Sequence, residues 1–543
     1  MNNWINTHTT VSIIIAILFT IGIFIVITVN NIPDTGSGFA KVPKANAADL
    51  QDGRMLAGQY CRTCHMLPDP SLLTKEMWYT GILPRMGPFL GYTSFWGESY
   101  ARANDVSPSY FPVKPIIDSV KWSHIIAYFV NTAPNRMPEQ KKSVSVIKHL
   151  PFFDVQLPES VFFGTVSMTS YVKIDTTVTP HHILISDGIN NRFVVLDDHL
   201  KTLFAARVSG SIVDINSKPG NILVCSIGAN LEANNLRNGE IRGIALDKQG
   251  KIKADNKPLF DKLARPVKIT RADLNGDGKE DFIISQFGNM VGDLSWMENT
   301  GDGKYKSHVL RKKPGALGTI VQDYNHDGLP DLWAQFAQGE EGVFLYTNKG
   351  HGEFKEQQVL RFPPSYGSTS FDLVDFNHDG FMDIIYTCGD NGDYTRVLKP
   401  YHGVYIFLND GKNNFAQRYF YPINGCYKAI ARDFDGDGDL DIATVSFYPS
   451  DHQPEEAFIY LENKGNFNFQ PYSLPANIPF QKGITMDAAD LDGDGKTDLI
   501  LGNGYFTSAS ASKHKEPLFI ILKNTTSIHK TTERIVSNTK NDK

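Results

Sequence analysis

The sequence predicts a multi-domain chain in which an N-terminal transmembrane helix and a small all-α domain precede an all-β propeller of seven blades. Near the N-terminus is an apolar run that, as a helix, is long enough to cross a bilayer. A helical region with paired cysteines follows it, and an acidic motif then recurs five times. With 543 residues the chain is too long for one core. The net charge of −6 argues against nucleic-acid binding, which would require a basic face.

The first element is the apolar run at residues 11–29, which is interrupted only by Ser12, Thr20, Gly22 and Thr28. At 1.5 Å per residue this run is long enough to cross a hydrocarbon core. A cleaved signal peptide is the alternative, but the small-residue site at residues 45–47 is far downstream. We therefore expect residues 1–30 to be an uncleaved membrane anchor and residues 31–48 to be a linker. The absence of Lys and Arg from the first ten residues does not support a cytoplasmic N-terminus.

The second element holds two cysteines, Cys61 and Cys64, followed at once by His65. This spacing is the attachment signal of c-type haem, in which each thiol adds to one vinyl group and the histidine ligates the iron. Zinc would require two more ligands nearby, and a thioredoxin-like site would require a βαβ context. Neither context is evident in the sequence, so we expect one covalent haem c on Cys61, Cys64 and His65.

Helical patterns surround this motif. Asp49 is positioned to cap a helix that leads into Cys61, a second helix is expected over residues 116–131, and a short one over residues 74–83. With the haem motif, this layout resembles a class I cytochrome c domain over residues 49–140. The resemblance implies that Gly53 and Tyr128 meet where the first and last helices cross. It also implies an extracytoplasmic, periplasmic location, because c-type haem is attached outside the cytoplasm.

The sixth iron ligand in that family is usually a methionine between the haem motif and the last helix. Met86 occupies such a position and is the residue we expect, although its separation from His65 is short for the family. His124 on the last helix and Met137 after it are the alternatives. A thioether ligand raises the reduction potential relative to a second imidazole, so this choice affects which redox partner fits.

The third element is a repeated motif with oxygen-bearing side chains at positions 1, 3, 5 and 9 and glycine at position 6. Successive motifs begin 50, 52, 58 and 57 residues apart, a period typical of propellers. The pattern suits Ca²⁺, and up to five ions would offset seventeen clustered carboxylates, whereas merely solvated turns would explain one loop but not five in register. The expected ligands are Asp273, Asn275, Asp277 and Asp281; Asp323, Asn325, Asp327 and Asp331; Asp375, Asn377, Asp379 and Asp383; Asp433, Asp435, Asp437 and Asp441; and Asp490, Asp492, Asp494 and Asp498.

Each of the first four motifs is followed by three strand patterns, and four strands per repeat is typical of a propeller blade. The fifth repeat ends at residues 519–524 without an evident fourth strand. Two blades without the motif are expected at residues 172–197 and 212–247, where Asp175 and Asp214 stand in place of the loops. A strand near residues 144–155 should close the ring and protect its edge. The repeats resemble the FG-GAP or VCBS family, as in integrin α-subunit propellers and some lectins. We expect the propeller over residues 144–527 and a disordered tail over 528–543.

The loops opposite the metal motifs vary most between blades and are the expected binding face. They are residues 232–237, 290–293, 390–399, 451–456 and 505–515. Cys388 and Cys426 would approach this face from adjacent blades and could form a disulfide, and Cys225 should be a small core residue.

Three functions remain open from the sequence. The first is a membrane-anchored cytochrome that transfers electrons to a redox partner protein, with the propeller binding a partner or ligand. The second is a propeller enzyme that oxidises a sugar or alcohol and passes electrons to the haem, but no catalytic constellation is evident among the motifs. The third is a non-catalytic propeller that binds a glycan, small molecule or protein. An electron carrier or binding protein is favoured over a catalyst.

Overall fold

The structure, a computed structural model, describes residues 44–95, 98–100, 106–107, 109–229, 231–246, 252–392, 395, 397–506 and 515–527. Most of these residues form seven antiparallel sheets arranged as the blades of one propeller. The predicted seven blades with four strands each are confirmed. The predicted membrane-spanning segment and the tail lie outside the described residues.

The first three blades follow the helical N-terminal segment in chain order. Blade 1 has strands Val166–Asp175, His182–Asp187, Arg192–Asp197 and Thr202–Arg207, and Gly504–Phe506 adds to its first strand. Blade 2 has Ile212–Lys218, Asn221–Ser226, Gly239–Leu246 and Ile252–Ala254, with Phe260–Leu263 paired to its third strand. Blade 3 has Pro266–Ala272, Asp281–Gln286, Asp293–Gly301 and Lys304–Arg311.

The remaining blades complete the ring. Blade 4 has Ala316–Gln322, Asp331–Phe336, Glu341–Asn348 and Phe354–Phe362. Blade 5 has Ser368–Val374, Asp383–Cys388, Gly403–Asn409 and Phe415–Pro422, and blade 6 has Cys426–Arg432, Asp441–Ser446, Phe458–Asn463 and Phe469–Ser473. Blade 7 has Met486–Ala489, Asp498–Gly502, Phe519–Asn524 and Phe153–Gln156. A two-stranded sheet of Phe163–Gly164 and Glu516–Pro517 lies beside the closure.

Ring closure occurs as the sequence predicts. The strand Phe153–Gln156 pairs antiparallel with Phe519–Asn524 and becomes the outer strand of blade 7. An N-terminal strand thus completes the sheet built by the C-terminal repeat, which removes an exposed edge. Apolar side chains between neighbouring blades form the core, and Cys225 is one of them, with no exposed surface.

We call the described part of residues 44–140 the head. Its helices are α1 at Ala47–Tyr60, α2 at Leu83–Met86 and α3 at Ser119–Thr132, with a π-helical turn at Met77–Ile82. Helix α1 begins three residues earlier than predicted because Asn46 is its N-cap, and Asp49 instead completes a capping box. Helix α3 begins at Ser119 because the Asp118 side chain caps it.

Helices α1 and α3 cross at Gly53, as predicted. A Cβ atom on Gly53 would collide with the backbone carbonyl of His124 and with Tyr128. The side chains beneath the crossing form one apolar cluster around Trp78, Trp122 and Phe129.

The predicted fold class is wrong in its N-terminal part. Within the described residues the chain is mostly β, its α-helices have at most 14 residues, and none is long and apolar enough to cross a membrane. The head is not a small all-α cytochrome c domain. Prolines 68, 70, 84, 88, 112 and 115 interrupt the segment between the two longer helices, which contains single turns and a two-stranded sheet of Ser94–Phe95 and Glu98–Ser99.

Candidate functional site

The five acidic motifs lie between the first and second strands of blades 3 to 7, at the same end of each blade. The carboxylate at position 1 closes each turn. In blade 3, Asp273 Oδ1 accepts a hydrogen bond from the Gly276 N–H at 2.9 Å, and its Oδ2 accepts one from the Gly278 N–H at 2.8 Å. The glycine at position 6 donates in the same way in the other four loops, over 2.9 to 3.1 Å. Glycine suits this position because its φ is 78° in blade 3, in the left-handed region.

Carboxylates converge most in the loops of blades 6 and 7. Oxygen atoms of Asp433, Asp435 and Asp437 lie within 4.8 Å of one another, as do those of Asp490, Asp492 and Asp494. Burial and then the neighbouring Asp437 raise the pKa of Asp435 to about 6. Such a concentration of like charge fits a hard divalent cation, which would stabilise the ionised carboxylates. In blades 3, 4 and 5 an asparagine stands at position 3.

Lysine side chains offset part of this charge in two loops. Lys279 Nζ lies 2.8 Å from Asp277 Oδ2 in blade 3, and Lys496 Nζ lies 3.1 Å from Asp494 Oδ2 in blade 7. Lys523 also forms an ion pair with Asp492 in blade 7. Among the ion pairs of the described residues, none involves the three converging carboxylates of blade 6. The blade 6 loop therefore offers a cation three converging carboxylates, none of which has an ion-pair partner among the described residues.

The aspartate at position 9 is buried in all five loops and is held by backbone groups. In blade 3, Asp281 Oδ1 accepts a hydrogen bond from the Asn299 N–H at 2.7 Å, and Oδ2 accepts from the Leu274 N–H and the Trp296 Nε1–H. The same two backbone contacts recur at the other four aspartates, which are Asp331, Asp383, Asp441 and Asp498. This carboxylate therefore links the loop to the end of the third strand, independently of any role in cation binding.

Sequence reasoning missed the role of the asparagine that ends each third strand. Its side-chain amide donates to the carbonyl just before the position-9 aspartate, as from Asn299 to Glu280 at 3.1 Å. Its side-chain oxygen accepts a backbone N–H two residues later, as from Gly301 at 3.0 Å. The recurrence of Asn before a turn was the available signal, and the equivalent residues are Asn348, Asn409, Asn463 and Asn524.

The blades without the motif differ from expectation at one position. Asp175 ends the first strand of blade 1 and accepts hydrogen bonds from Thr177, as a turn residue would. Asp214 instead lies within the first strand of blade 2, where it forms an ion pair with Lys268 of blade 3 at 3.0 Å. The turn of blade 2 is formed by residues 219–220.

The cysteine–histidine motif lies on the 3-10 turn Cys61–Thr63 directly after helix α1. Both thiols are free, Cys64 is exposed, and burial followed by the Cys64 charge raises the pKa of Cys61 to about 11. The Nδ1 atom of His65 lies 2.8 Å from the Met66 carbonyl oxygen. A proton on Nδ1 would be donated to that carbonyl, leaving the Nε2 lone pair for a metal. These residues fit covalent haem, with the thiols as attachment points and Nε2 as the iron ligand.

Met86, the expected sixth ligand, ends helix α2 and is half-buried. It packs against the same apolar cluster as Cys61. The alternative ligand His124 lies on α3 with its Nε2 atom 4.0 Å from Asp49 Oδ1. The structure therefore brings Met86 and the motif to one cluster and directs His124 toward a carboxylate on α1.

The head contacts the propeller at the loops expected to form the binding face. Tyr110 Oη donates to the Met290 carbonyl at 3.0 Å, and Tyr401 Oη donates to the Leu72 carbonyl at 2.9 Å. Just beyond the head, Lys142 Nζ lies 2.5 Å from Glu456 Oε1. The loops of blades 3 and 5 thus contact the head, and the loop of blade 6 contacts the segment just after it. Cys388 and Cys426 are buried free thiols in this region, and no disulfide joins them.

Family comparisons agree with the architecture of the propeller. FG-GAP-like repeats match residues 273–334 and 323–386, and an FG-GAP repeat matches residues 483–513. The chain is therefore a seven-bladed propeller that contains FG-GAP repeats. These matches do not extend to the head, and they give no support to a cytochrome c domain there.

Curated relatives match parts of the chain. A T-cell immunomodulatory protein homolog of Plasmodium falciparum (isolate 3D7) is 30% identical over 214 residues, which are 32% of this chain and 29% of that protein. Cartilage acidic protein 1 of Xenopus tropicalis is 26% identical over 272 residues, which are 43% of this chain and 37% of that protein. The human cartilage acidic protein 1 is 27% identical over 203 residues, 36% of this chain and 29% of that protein. The chain spans less than two-fifths of the length of these relatives.

Solved structures give more distant likenesses. An ancestral GH74 enzyme has a TM-score of 0.44 at 9% identity, covering 73% of this chain and 52% of that one. Virginiamycin B lyase from Staphylococcus aureus has a TM-score of 0.41 at 14% identity, covering 68% of this chain and 99% of that one. Likenesses this distant say nothing about what the chain binds.

Proposed function

We propose that the chain is a non-catalytic binding protein in which a calcium-stabilised propeller carries the head and presents it to a protein partner. The observation that carries this proposal is the apolar surface of the head. Val113 is 89% exposed, Val120 is 61% exposed and Met55 is 59% exposed, and Met66, Phe89 and Ile116 are also exposed. All six side chains belong to the head, and large apolar side chains exposed within one segment are the material from which interaction surfaces form.

The propeller would supply a rigid support for this surface. Carboxylate oxygens at positions 1 and 5, with a carboxylate or amide oxygen at position 3, would hold Ca²⁺ in each loop. The backbone contacts of the position-9 aspartate would couple the ordered loop to its blade. Binding of the ion to the folded state alone would then stabilise the blades. Matches to FG-GAP-containing proteins support binding as the class of function.

The test measures the binding of the wild type and two variants to immobilised extracellular proteins and to glycan arrays. We expect the wild type to bind at least one of these proteins. The affinity for that protein should fall at least about tenfold in the double variant Val113→Ser, Val120→Ser. The control Val309→Ser changes an equally apolar side chain, 52% exposed, on blade 3 and should bind normally. Equal binding by both variants, or chemical change in the bound ligand, would contradict the proposal.

A second candidate function rests on residues 61–65. We infer that Cys61 and Cys64 hold a covalent haem c whose iron is bound by His65, with Met86 as the sixth ligand. The specific observation is that His65 Nδ1 lies 2.8 Å from the Met66 carbonyl oxygen, so a proton on Nδ1 would leave the Nε2 lone pair for a metal. Bound haem would supply one-electron transfer, and a protein redox partner would exchange those electrons. This function implies an extracytoplasmic, periplasmic location.

The haem is tested by the pyridine haemochrome spectrum of protein exported from a host that matures c-type cytochromes. We expect a covalent haem c in the wild type and none in Cys61→Ala, Cys64→Ala. Colourless wild-type protein with two titratable thiols at these positions would exclude haem and electron transfer, while leaving the partner-binding proposal intact. No specific observation favours the alternative of a propeller oxidoreductase.

A further inference from the structure

The boundary between blades 2 and 3 differs from the other boundaries because blade 2 has neither a metal loop nor a connection as long as residues 176–181 of blade 1. Its first two strands, Ile212–Lys218 and Asn221–Ser226, are joined by residues 219 and 220 alone. In blade 3 the corresponding connection is residues 273–280. Blade 2 therefore lacks the loop residues that blades 3 to 7 have at this end of the ring.

One of the absent residues is the apolar residue at position 2 of the motif. In blade 3 this residue is Leu274, which is buried against Phe344 and Tyr346 of blade 4. In blade 6 it is Phe434, which packs with residues of blade 7, including Leu499. Each such residue fills the space between its own blade and the next. Blade 2 contributes none, so the space beside blade 3 is left open.

A cavity of about 230 Å³ occupies that space. Its apolar wall consists of Leu223, Leu259, Phe282 and Tyr305. Its polar wall consists of Asn221, Asp255, Glu280 and Asn299, with Gly243 beside them.

The aromatic side of the cavity is held in place by neighbouring rings. The Tyr305 ring centroid lies 5.0 Å from that of Phe260 and 5.6 Å from that of Phe282. Phe260 is not among the lining residues and Phe282 is itself part of the wall, so the two contacts together fix the Tyr305 ring. A flat, rigid aromatic wall is the surface on which the C–H face of a ring-shaped ligand packs.

A buried arginine fixes the position of side chains in the polar wall of the cavity. The Arg271 side chain is 5% exposed, and its guanidinium donates to Glu280 Oε1 at 2.8 Å and to Asn221 Oδ1 at 3.1 Å. Its Nε atom is buried and has no hydrogen-bond partner among the described residues. Lys218 also forms an ion pair with Glu280. The carboxylate of Glu280 is therefore fixed and already neutralised by two cations.

Asp255 approaches the cavity because residue 243 is glycine. A Cβ atom at position 243 would collide with Asp255 Oδ2. The Asp255 backbone is fixed by a hydrogen bond from its N–H to the Gly243 carbonyl at 2.9 Å, and by Arg242, which donates to the Asp255 carbonyl at 2.7 Å. Its carboxylate thus lies beside the cavity as an acceptor.

We propose that this cavity binds a single sugar ring, as a site separate from the head that borders the metal loop of blade 3 at Glu280. A sugar presents an apolar C–H face, which suits Tyr305 and Phe282, and hydroxyl groups, which suit carboxylate and amide groups. The carboxylates of Glu280 and Asp255 and the two cations that pair with Glu280 leave the polar wall close to neutral, which favours an uncharged polar ligand over an anion or an ammonium group. Pockets for drug-sized ligands measure roughly 300–1,000 Å³, so this smaller cavity suits one ring.

The experiment titrates the full chain in calcium with a panel of methyl glycosides, using saturation-transfer NMR and calorimetry. We expect at least one methyl pyranoside to bind through its ring C–H protons with a Kd of about 1 mM or tighter. Asp255→Ala should weaken that binding at least about tenfold, and Gly243→Ala should do the same by displacing the Asp255 carboxylate. Asp261→Ala changes an exposed aspartate away from the cavity lining and is the control.

Each outcome bears on the proposal. Methyl glycosides that do not bind, or that bind equally to Asp255→Ala and the control, would overturn it. Binding of methylammonium in place of glycosides would also overturn it and would assign the cavity to cations. Melting temperatures of the variants are measured alongside, and Asn221→Ala provides a second test at the polar wall if Gly243→Ala is unfolded.

Discussion

The carboxylate of Asp441 accepts a hydrogen bond from the backbone N–H of Asn463, 2.8 Å away, and so joins the metal loop of blade 6 to the end of its third strand. Asp441 is fully buried and also accepts from the Phe434 N–H and the Tyr460 hydroxyl. The same link recurs in four other blades. A repeated buried carboxylate is thus a structural component of the propeller as well as a neighbour of the metal loop.

Replacing Asp441 by asparagine should destabilise the protein by about 1–3 kcal/mol. The new amide group would face buried donors and leave at least one of them without an acceptor. The measurement is the urea unfolding midpoint in excess calcium. Asp439→Asn, at a half-buried position in the same loop, is the matched control and should change the midpoint little.

Stability should depend on pH through Glu341. Burial raises the pKa of this carboxyl to about 7, and hydrogen bonds from Ser368 and Gly367 lower it by less. Because the folded-state pKa is above the unfolded value, the stabilisation is fully present below about pH 4.5 and is lost as the pH rises through 7. Melting temperatures between pH 5 and 8 should decline less in Glu341→Gln than in the wild type. An unchanged slope in Glu341→Gln, matching that of the exposed control Glu353→Gln, would assign the decline to other groups.

Calcium binding should be strongest at blade 6. Its three converging carboxylates have no lysine ion pair among the described residues, whereas Lys496 and Lys523 neutralise two of those in blade 7. Asp435→Asn makes the loop like those of blades 3 to 5, and its tightest calcium-binding step should weaken about tenfold. Calorimetric titration of metal-free protein measures this effect, with Asp439→Asn again as the control. Identical titrations of wild type and Asp435→Asn would show that the tightest site lies in another blade.

The helix crossing in the head depends on glycine at position 53. Gly53→Ala should force α1 and α3 apart, because its Cβ atom would meet the His124 carbonyl and Tyr128. Gly58→Ala lies in the same helix, with no atom within 4 Å of its new Cβ, and should stabilise α1 by up to about 1 kcal/mol. Hydrogen exchange of the amides of Ser119–Thr132 should accelerate in the first variant only. Equal protection in both variants would mean that the helices do not cross so closely in solution.

The attachment of the head to the propeller should weaken in the double variant Tyr110→Phe, Tyr401→Phe. Each change removes one hydroxyl that donates to a carbonyl across the contact, to Met290 and Leu72 respectively. We expect faster proteolysis within the head, while the urea midpoint of the propeller stays the same. Tyr324→Phe, which removes a hydroxyl contact with Thr347 inside blade 4, is the control. Unchanged head proteolysis would show that other contacts suffice.

The five motifs, with the strand patterns at residues 172–197 and 212–247, were sufficient to predict the seven blades and their order, because each pattern is local and its period repeats. The closing strand was also predictable, since the last repeat lacked an outer strand and an N-terminal segment had the right pattern. The same local reasoning failed for the head. Two helices and a CxxCH motif resembled a cytochrome c domain, but the prolines between the helices and the contacts with blades 3 and 5 produce a different arrangement.

Local sequence therefore determined the repeating unit, since strands, turns and acidic loops depend on residues close together in the chain. Tertiary structure alone decided which loops carry the head, which backbone groups the position-9 aspartates contact, and that a short turn in blade 2 leaves a cavity beside Tyr305. Each of these depends on contacts between segments distant in the sequence. Their free energy comes from packing between blades, which no single repeat contains.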